Sequence, residues 1–107
     1  MEIKATLENG IQYVVLSGRL DAVVSDEIMS KLTAMVDEGH TKMVVCMEHI
    51  DYISSSGLRS FLAVGKKIGS AGFLRFCCMQ ASVKEVFTIT GFHTIFQIFN
   101  TKDEAFA

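Results

Sequence analysis

Apolar and polar residues alternate through EIKATLENGIQYVVLSGRL (2–20) on both sides of Asn9-Gly10. An Asn-Gly pair between alternating runs predicts a tight β-hairpin, because both turn positions take positive φ. The period then changes. In SDEIMSKLTAMVDEG, Ile28, Leu32, Met35 and Val36 recur at helical spacing and predict one apolar helix face. Ser25 is expected as the N-cap, Asp26 and Glu27 suit the positive end of the dipole, and Gly39 suits the stop. KMVVCME (42–48) is apolar almost throughout, the pattern of a central strand covered on both faces. Leu58, Phe61, Leu62 and Ile68 return to helical spacing, with Gly69 and Gly72 closing the element. FLRFCCM (73–79) predicts another buried strand. Ser82 and Glu85 have capping-box spacing ahead of Val83, Val86 and Phe87, and Gly91 ends that helix. IFQIF (95–99) alternates as a last strand at the sheet edge, and Thr101 and Glu104 repeat the capping-box pattern for a terminal turn.

The resulting order is β-β-α-β-α-β-α-β-α. After the hairpin, strands alternate with helices, which predicts a mixed, mostly parallel sheet joined by right-handed crossovers. At 107 residues, with no proline and no low-complexity tract, the chain reads as one α/β domain over 1–107, without a linker. Half of the residues are hydrophobic, enough for a core at this length.

The formal charge of −2 supplies no basic field, so nucleic acid is not an expected partner. The N-terminal MEIKATLENG has an acidic second residue and no apolar segment, so no secretory leader is read. The longest apolar runs fall far short of the ~20 residues of a membrane span, so a soluble, cytoplasmic protein without a membrane partner is expected.

Candidate chemistry is sparse. Cys46, Cys77 and Cys78 form no C-x-x-C pattern and share no ligand spacing with His40, His49 or His93. They read as reduced thiols packed as small hydrophobes, and neither metal nor cofactor is expected. GKKIGSAGF (65–73) follows a helix and precedes a strand, the reverse of a phosphate-cradling loop, so Gly65, Gly69 and Gly72 read as helix-packing and helix-stop residues. A nucleophile elbow needs G-x-S-x-G, and the first glycine is missing before Ser55 and Ser56. His49 and Asp51 lie nearby only in sequence, which is weak ground for a triad; His49 reads as a solvated loop residue. No enzyme is expected.

IDYISSSGLRSFL (50–62) carries more. A serine at a helix mouth caps orphan N–H groups, but one cap uses one serine and three stand here. The surplus hydroxyls lie where a central strand hands over to a helix, the usual functional edge of an open α/β sheet. A phosphate on such a hydroxyl would meet helix N–H groups and a favourable dipole.

This stretch, with KMVVCME before it and GKKIGSAGFLRFCCMQASVKEVFTITGF after it, resembles a STAS domain of the anti-sigma factor antagonist type. The resemblance extends to SGRLDAVVSDEI (17–28) and to SVKEVFTITGFHTIFQIFNTKDEAFA, essentially the whole chain. It implies a phospho-switched binding module. Its partners would be an anti-sigma factor that is also an ATP-dependent serine kinase, and a PP2C-type phosphatase that reverses the mark. The family's acceptor serine stands two residues before the glycine, which is Ser55 here; Ser56 and then Ser54 are the alternatives. Ser56 would cap the helix, and Asp21 matches an acidic residue close to the switch. The expected partner-binding set is Asp21, Asp51, Ser54, Ser56, Gly57, Leu58 and Arg59. Two departures stand out: Ser54 holds a place often taken by aspartate, and Arg59 one where some members have glycine. STAS domains also occur with anion transporters and in lipid-transport assemblies, so a STAS subunit that binds a small ligand or serves a transport or other signalling complex is the alternative expectation.

Overall fold

The computed structural model describes all of residues 1–107. Strands β1 (Glu2–Glu8) and β2 (Ile11–Leu20) form the expected antiparallel hairpin, with Asn9 and Gly10 at φ of 53° and 78°. Helix α1 (Ala22–Asp37), strand β3 (Lys42–Ile53), helix α2 (Ser55–Ile68), strand β4 (Phe73–Cys77), helix α3 (Ala81–Ile89), strand β5 (Gln97–Phe99) and helix α4 (Lys102–Phe106) follow. The five strands lie in sequence order, and every pair after the hairpin is parallel. This is the expected α/β order, with β3 central and β5 at an edge.

The sheet has two unequal faces. Val14, Leu16, Met43, Val45, Met47, Leu74 and Phe76 point to one side, where Ile28, Leu32 and Val36 of α1 and Leu58, Phe61, Val64 and Ile68 of α2 meet them. Val83 and Phe87 of α3 close this main core. Residues one step out of phase, Val44, Cys46 and Cys77, point to the other side, as the strand period of two requires. There Ala105 and Phe106 of α4 cover them, with Tyr13 and Phe99 alongside. Burial pushes the Cys77 thiol up, so it stays protonated in this apolar layer. The terminal turn is tied back by Lys102, which donates to Glu8 at 2.9 Å. That bond holds the Glu8 carboxyl below its usual range, so the tie persists above ordinary carboxylate pKa values and is lost as pH falls through the lowered one.

Several predicted boundaries move. Helix α1 starts at Ala22 with Asp21 as its cap, the carboxylate accepting from the Val23 and Val24 N–H groups; Ser25 is buried in the helix and donates to the Asp21 carbonyl at 2.7 Å. Gly39 does stop α1: its N–H bonds the Val36 carbonyl and that of His40 bonds the Met35 carbonyl, a Schellman closure. The Ser82–Glu85 capping box does not form, because α3 begins at Ala81 after Gln80 and Ser82 instead faces the Asp51 carbonyl. The Thr101–Glu104 box is present. Gly69 stops α2, and Gly72 ends the 3-10 turn Gly69–Ala71 that follows it. A Cβ on Gly72 would overlap the Thr41 carbonyl, which lies close because it accepts from the Phe73 N–H at 2.9 Å.

Candidate functional site: two helix N-termini at one sheet edge

Strand β3 runs five residues beyond its expected end at residue 48, so His49 and Asp51 are exposed strand residues and not loop. Two register shifts against β2 put extra residues into β3: Val15 pairs Cys46, Ser17 pairs His49, and Leu20 pairs Ile53. Such bulges increase twist and re-aim side chains, and the buried positions become Met47, Ile50 and Ile53. Only Lys42–Cys46 pair with β4. The extension therefore carries the serines past the rest of the parallel sheet, and Gln80 closes its open side by donating to the Glu48 carbonyl at 2.8 Å.

The β2 and β3 exits are joined where the Ser54 N–H donates to the Leu20 carbonyl at 2.8 Å. Each chain then turns into a helix at once, Asp21 capping α1 and Ser54 capping α2. The Ser54 hydroxyl accepts from the Gly57 N–H at 3.1 Å. This corrects the expectation that Ser56 is the cap, and it accounts for the departure at Ser54. Aspartate and serine are both strong N-caps, so either fills that place. Ser54→Ala is accordingly expected to lower stability by roughly 1 kcal/mol, and Ser54→Asp to preserve it; urea denaturation checks both.

The remaining serines differ in environment. Ser55 is exposed at the first helical position, and its hydroxyl makes no intramolecular hydrogen bond. Ser56 is half-buried and receives a long 3.4 Å contact from the Arg59 guanidinium. Arg59 is exposed and makes no ion pair with Asp51. Gly57 and Leu58 are buried, so these two support the site from beneath and offer no side chain to a partner. A Cβ on Gly57 would stand 2.9 Å from Ile53 Cγ1 and 3.2 Å from the Leu20 carbonyl oxygen; glycine lets the two strand exits and α2 close together.

Three features of this edge escape the sequence pattern. Ser60 is buried and donates to the Ser25 carbonyl at 2.9 Å, locking α2 to α1. Ala22, Asp26 and Met29 of α1 face Ser56 and Arg59 of α2 across a polar groove of about 320 Å³. Val23, 86% exposed in the first turn of α1, and Tyr52, stacked under Arg19 at 4.3 Å, present apolar surface at the same end of the sheet.

The STAS domain family model matches residues 2–105. BtrV of Bordetella bronchiseptica, named for anti-sigma factor antagonist action, is 34% identical over 98% of this chain and 93% of its own. Among solved structures, an anti-sigma factor antagonist from Mycobacterium paratuberculosis superimposes with a TM-score of 0.90 at 20% identity, covering 98% of this chain and 90% of that one. The Bacillus cell-fate determinant SpoIIAA, in its phosphorylated form, superimposes with a TM-score of 0.73 at 19% identity, covering 98% and 96%. No helix here is long and apolar enough to cross a membrane. By the match along nearly its whole length and the fold that carries it, the chain belongs to the STAS domain family.

Proposed function

We propose that the chain is an anti-sigma factor antagonist worked by a phosphate switch at Ser55. Unmodified, it binds an anti-sigma factor that is also an ATP-dependent serine kinase, and so frees a sigma factor. Transfer of the γ-phosphoryl group of ATP to the Ser55 hydroxyl ends the binding, and a PP2C-type phosphatase restores it by hydrolysis. The chain itself acts by binding; the phosphoryl chemistry belongs to its partners.

The observation that carries this reading is the state of the three hydroxyls. Ser54 is committed as a cap and Ser56 is half-buried against Arg59, while Ser55 alone is both exposed and unbonded. Ser56 is the second candidate and Ser54 the third. The names of BtrV and of the Mycobacterium tuberculosis anti-sigma-F factor antagonist RsfB support the class of partner. SpoIIAA, solved in its phosphorylated form, supports a phosphorylated state in this fold. Asp21, Asp51, Ser54, Ser56 and Arg59, with Val23 and Tyr52, form the proposed contact surface around Ser55.

Phosphorylation adds about −1.5 to −2 charge at neutral pH. At the first position of α2 that charge faces the orphan N–H groups of the helix, so the fold tolerates it. Inside a packed interface the same charge is costly to desolvate. Size-exclusion chromatography of the chain with its cognate kinase tests the proposal. A complex that persists with ADP and dissolves with ATP is expected; co-elution with a membrane transport ATPase, and not with the kinase, would overturn it.

A further inference from the structure

The sheet face under α4 holds a second cluster, remote from the serine switch in chemistry and not used by it. Cys46 in β3 and Cys77 at the end of β4 are buried, and Cys78 is half-exposed. None forms a disulfide. The parallel register places Cys46 directly beside Cys77, and the three sulfur atoms all lie within 4.8 Å of one another. No ligand spacing marks the cluster along the chain, because two of the sulfurs are adjacent and the third is 31 positions earlier; strand pairing brings them together.

The backbone at Cys78 is the second observation. Successive residues of a strand point to opposite faces, so an extended Cys78 would send its sulfur away from Cys77. Cys78 instead has φ of +63°, a conformation uncommon outside glycine, while its N–H still bonds the Phe99 carbonyl at 3.2 Å. Glycine would make this turn at less cost. Cysteine in that conformation adds a third sulfur to the other two.

We propose that Cys46, Cys77 and Cys78 bind one thiophilic d10 cation, of the class of zinc(II) and copper(I), through three sulfurs reached from the half-exposed Cys78 side. Sulfur ligands about 2.3 Å from a metal lie roughly 3.8–4.0 Å from one another, so closure asks each sulfur to move by about half an ångström at most. Binding replaces S–H bonds with metal–sulfur bonds and releases the protons to solvent. Soft thiolate ligands select this class of cation over magnesium or calcium. One cation stands on the same face: Arg75, two residues before Cys77 and over the Phe73 ring at 3.8 Å. Three sulfurs complete a trigonal copper(I) site; zinc(II) would take water as a fourth ligand at the exposed side.

The test uses the full chain, kept reduced with a phosphine. One arm titrates cobalt(II), read by sulfur-to-cobalt charge-transfer absorption, and then displaces it with zinc(II). The other competes copper(I) against a chromogenic chelator. One cation per chain in either arm is the expected result, and the arm that responds identifies the cation. Cys78→Gly relieves the positive φ, so it should fold as judged by circular dichroism while affinity falls at least about tenfold. Absence of stoichiometric binding in both arms, or a folded Cys78→Gly chain that binds as tightly as the unaltered one, would overturn the proposal.

Discussion

Ser55→Asp is expected to weaken binding to the anti-sigma factor by at least about thirtyfold, the equivalent of roughly 2 kcal/mol, while the melting temperature moves by no more than a few degrees. The two halves of this result have separate causes. Ser55 is exposed and its hydroxyl holds nothing inside the chain, so no intramolecular bond is lost on substitution. A carboxylate at the first position of α2 also faces the positive end of the helix dipole. In the proposed complex the same carboxylate would face a partner that binds the neutral hydroxyl, and desolvating it without a counter-ion is unfavourable. Ser54→Asp separates charge from position. Its carboxylate folds back to accept from the Gly57 N–H, as the Ser54 hydroxyl does at 3.1 Å, so a smaller loss of binding is expected. Calorimetric titration against the partner and thermal circular dichroism measure both quantities.

Phe76→Ala should destabilise the chain by about 3–5 kcal/mol. Phe76 is fully buried in β4, and its ring centroid lies 4.9 Å from that of Phe61, 5.2 Å from that of Phe96 and 5.6 Å from that of Phe87. These rings come from α2, the segment before β5, and α3, so one truncation opens a cavity where three separate parts of the fold meet the sheet. Edge-to-face contacts with two of the three are lost together with the buried area. For a domain of this size the melting temperature should fall by more than about 10 °C. A fall of only a few degrees would mean that the surrounding elements collapse into the space.

Legibility in the sequence followed how local the determining physics is. The Asn9-Gly10 hairpin, the apolar stripe of α2 and the run Met43–Met47 are each set by residues next to one another, and all three stand where the pattern puts them. The end of β3 was hidden because two bulges break its period: burial falls on Met47, Ile50 and Ile53, a spacing of three that no strand template matches. The caps were misassigned for a related reason. Ser25 and Ser82 are good caps in isolation, but α1 begins as soon as Leu20 has paired with Ile53, and that leaves the capping place to Asp21. The same pairing, with the Ser54 N–H on the Leu20 carbonyl, gives the α2 cap to Ser54 over Ser56. The serine cluster was thus legible as the mouth of α2 at the sheet edge, while the division of labour among its hydroxyls depended on a neighbouring strand. Packing of Leu58 into the core likewise turns a residue expected at the partner surface into support for it.

One hydroxyl, that of Ser55, is proposed to receive the phosphate. Incubation of the chain with its cognate kinase and ATP, followed by intact-mass measurement and peptide mapping, tests it most directly. The expected result is one phosphate per chain, located on Ser55 and absent from Ser55→Ala. A full equivalent of phosphate on Ser55→Ala, or none anywhere among residues 54–56 of the unaltered chain, would contradict it.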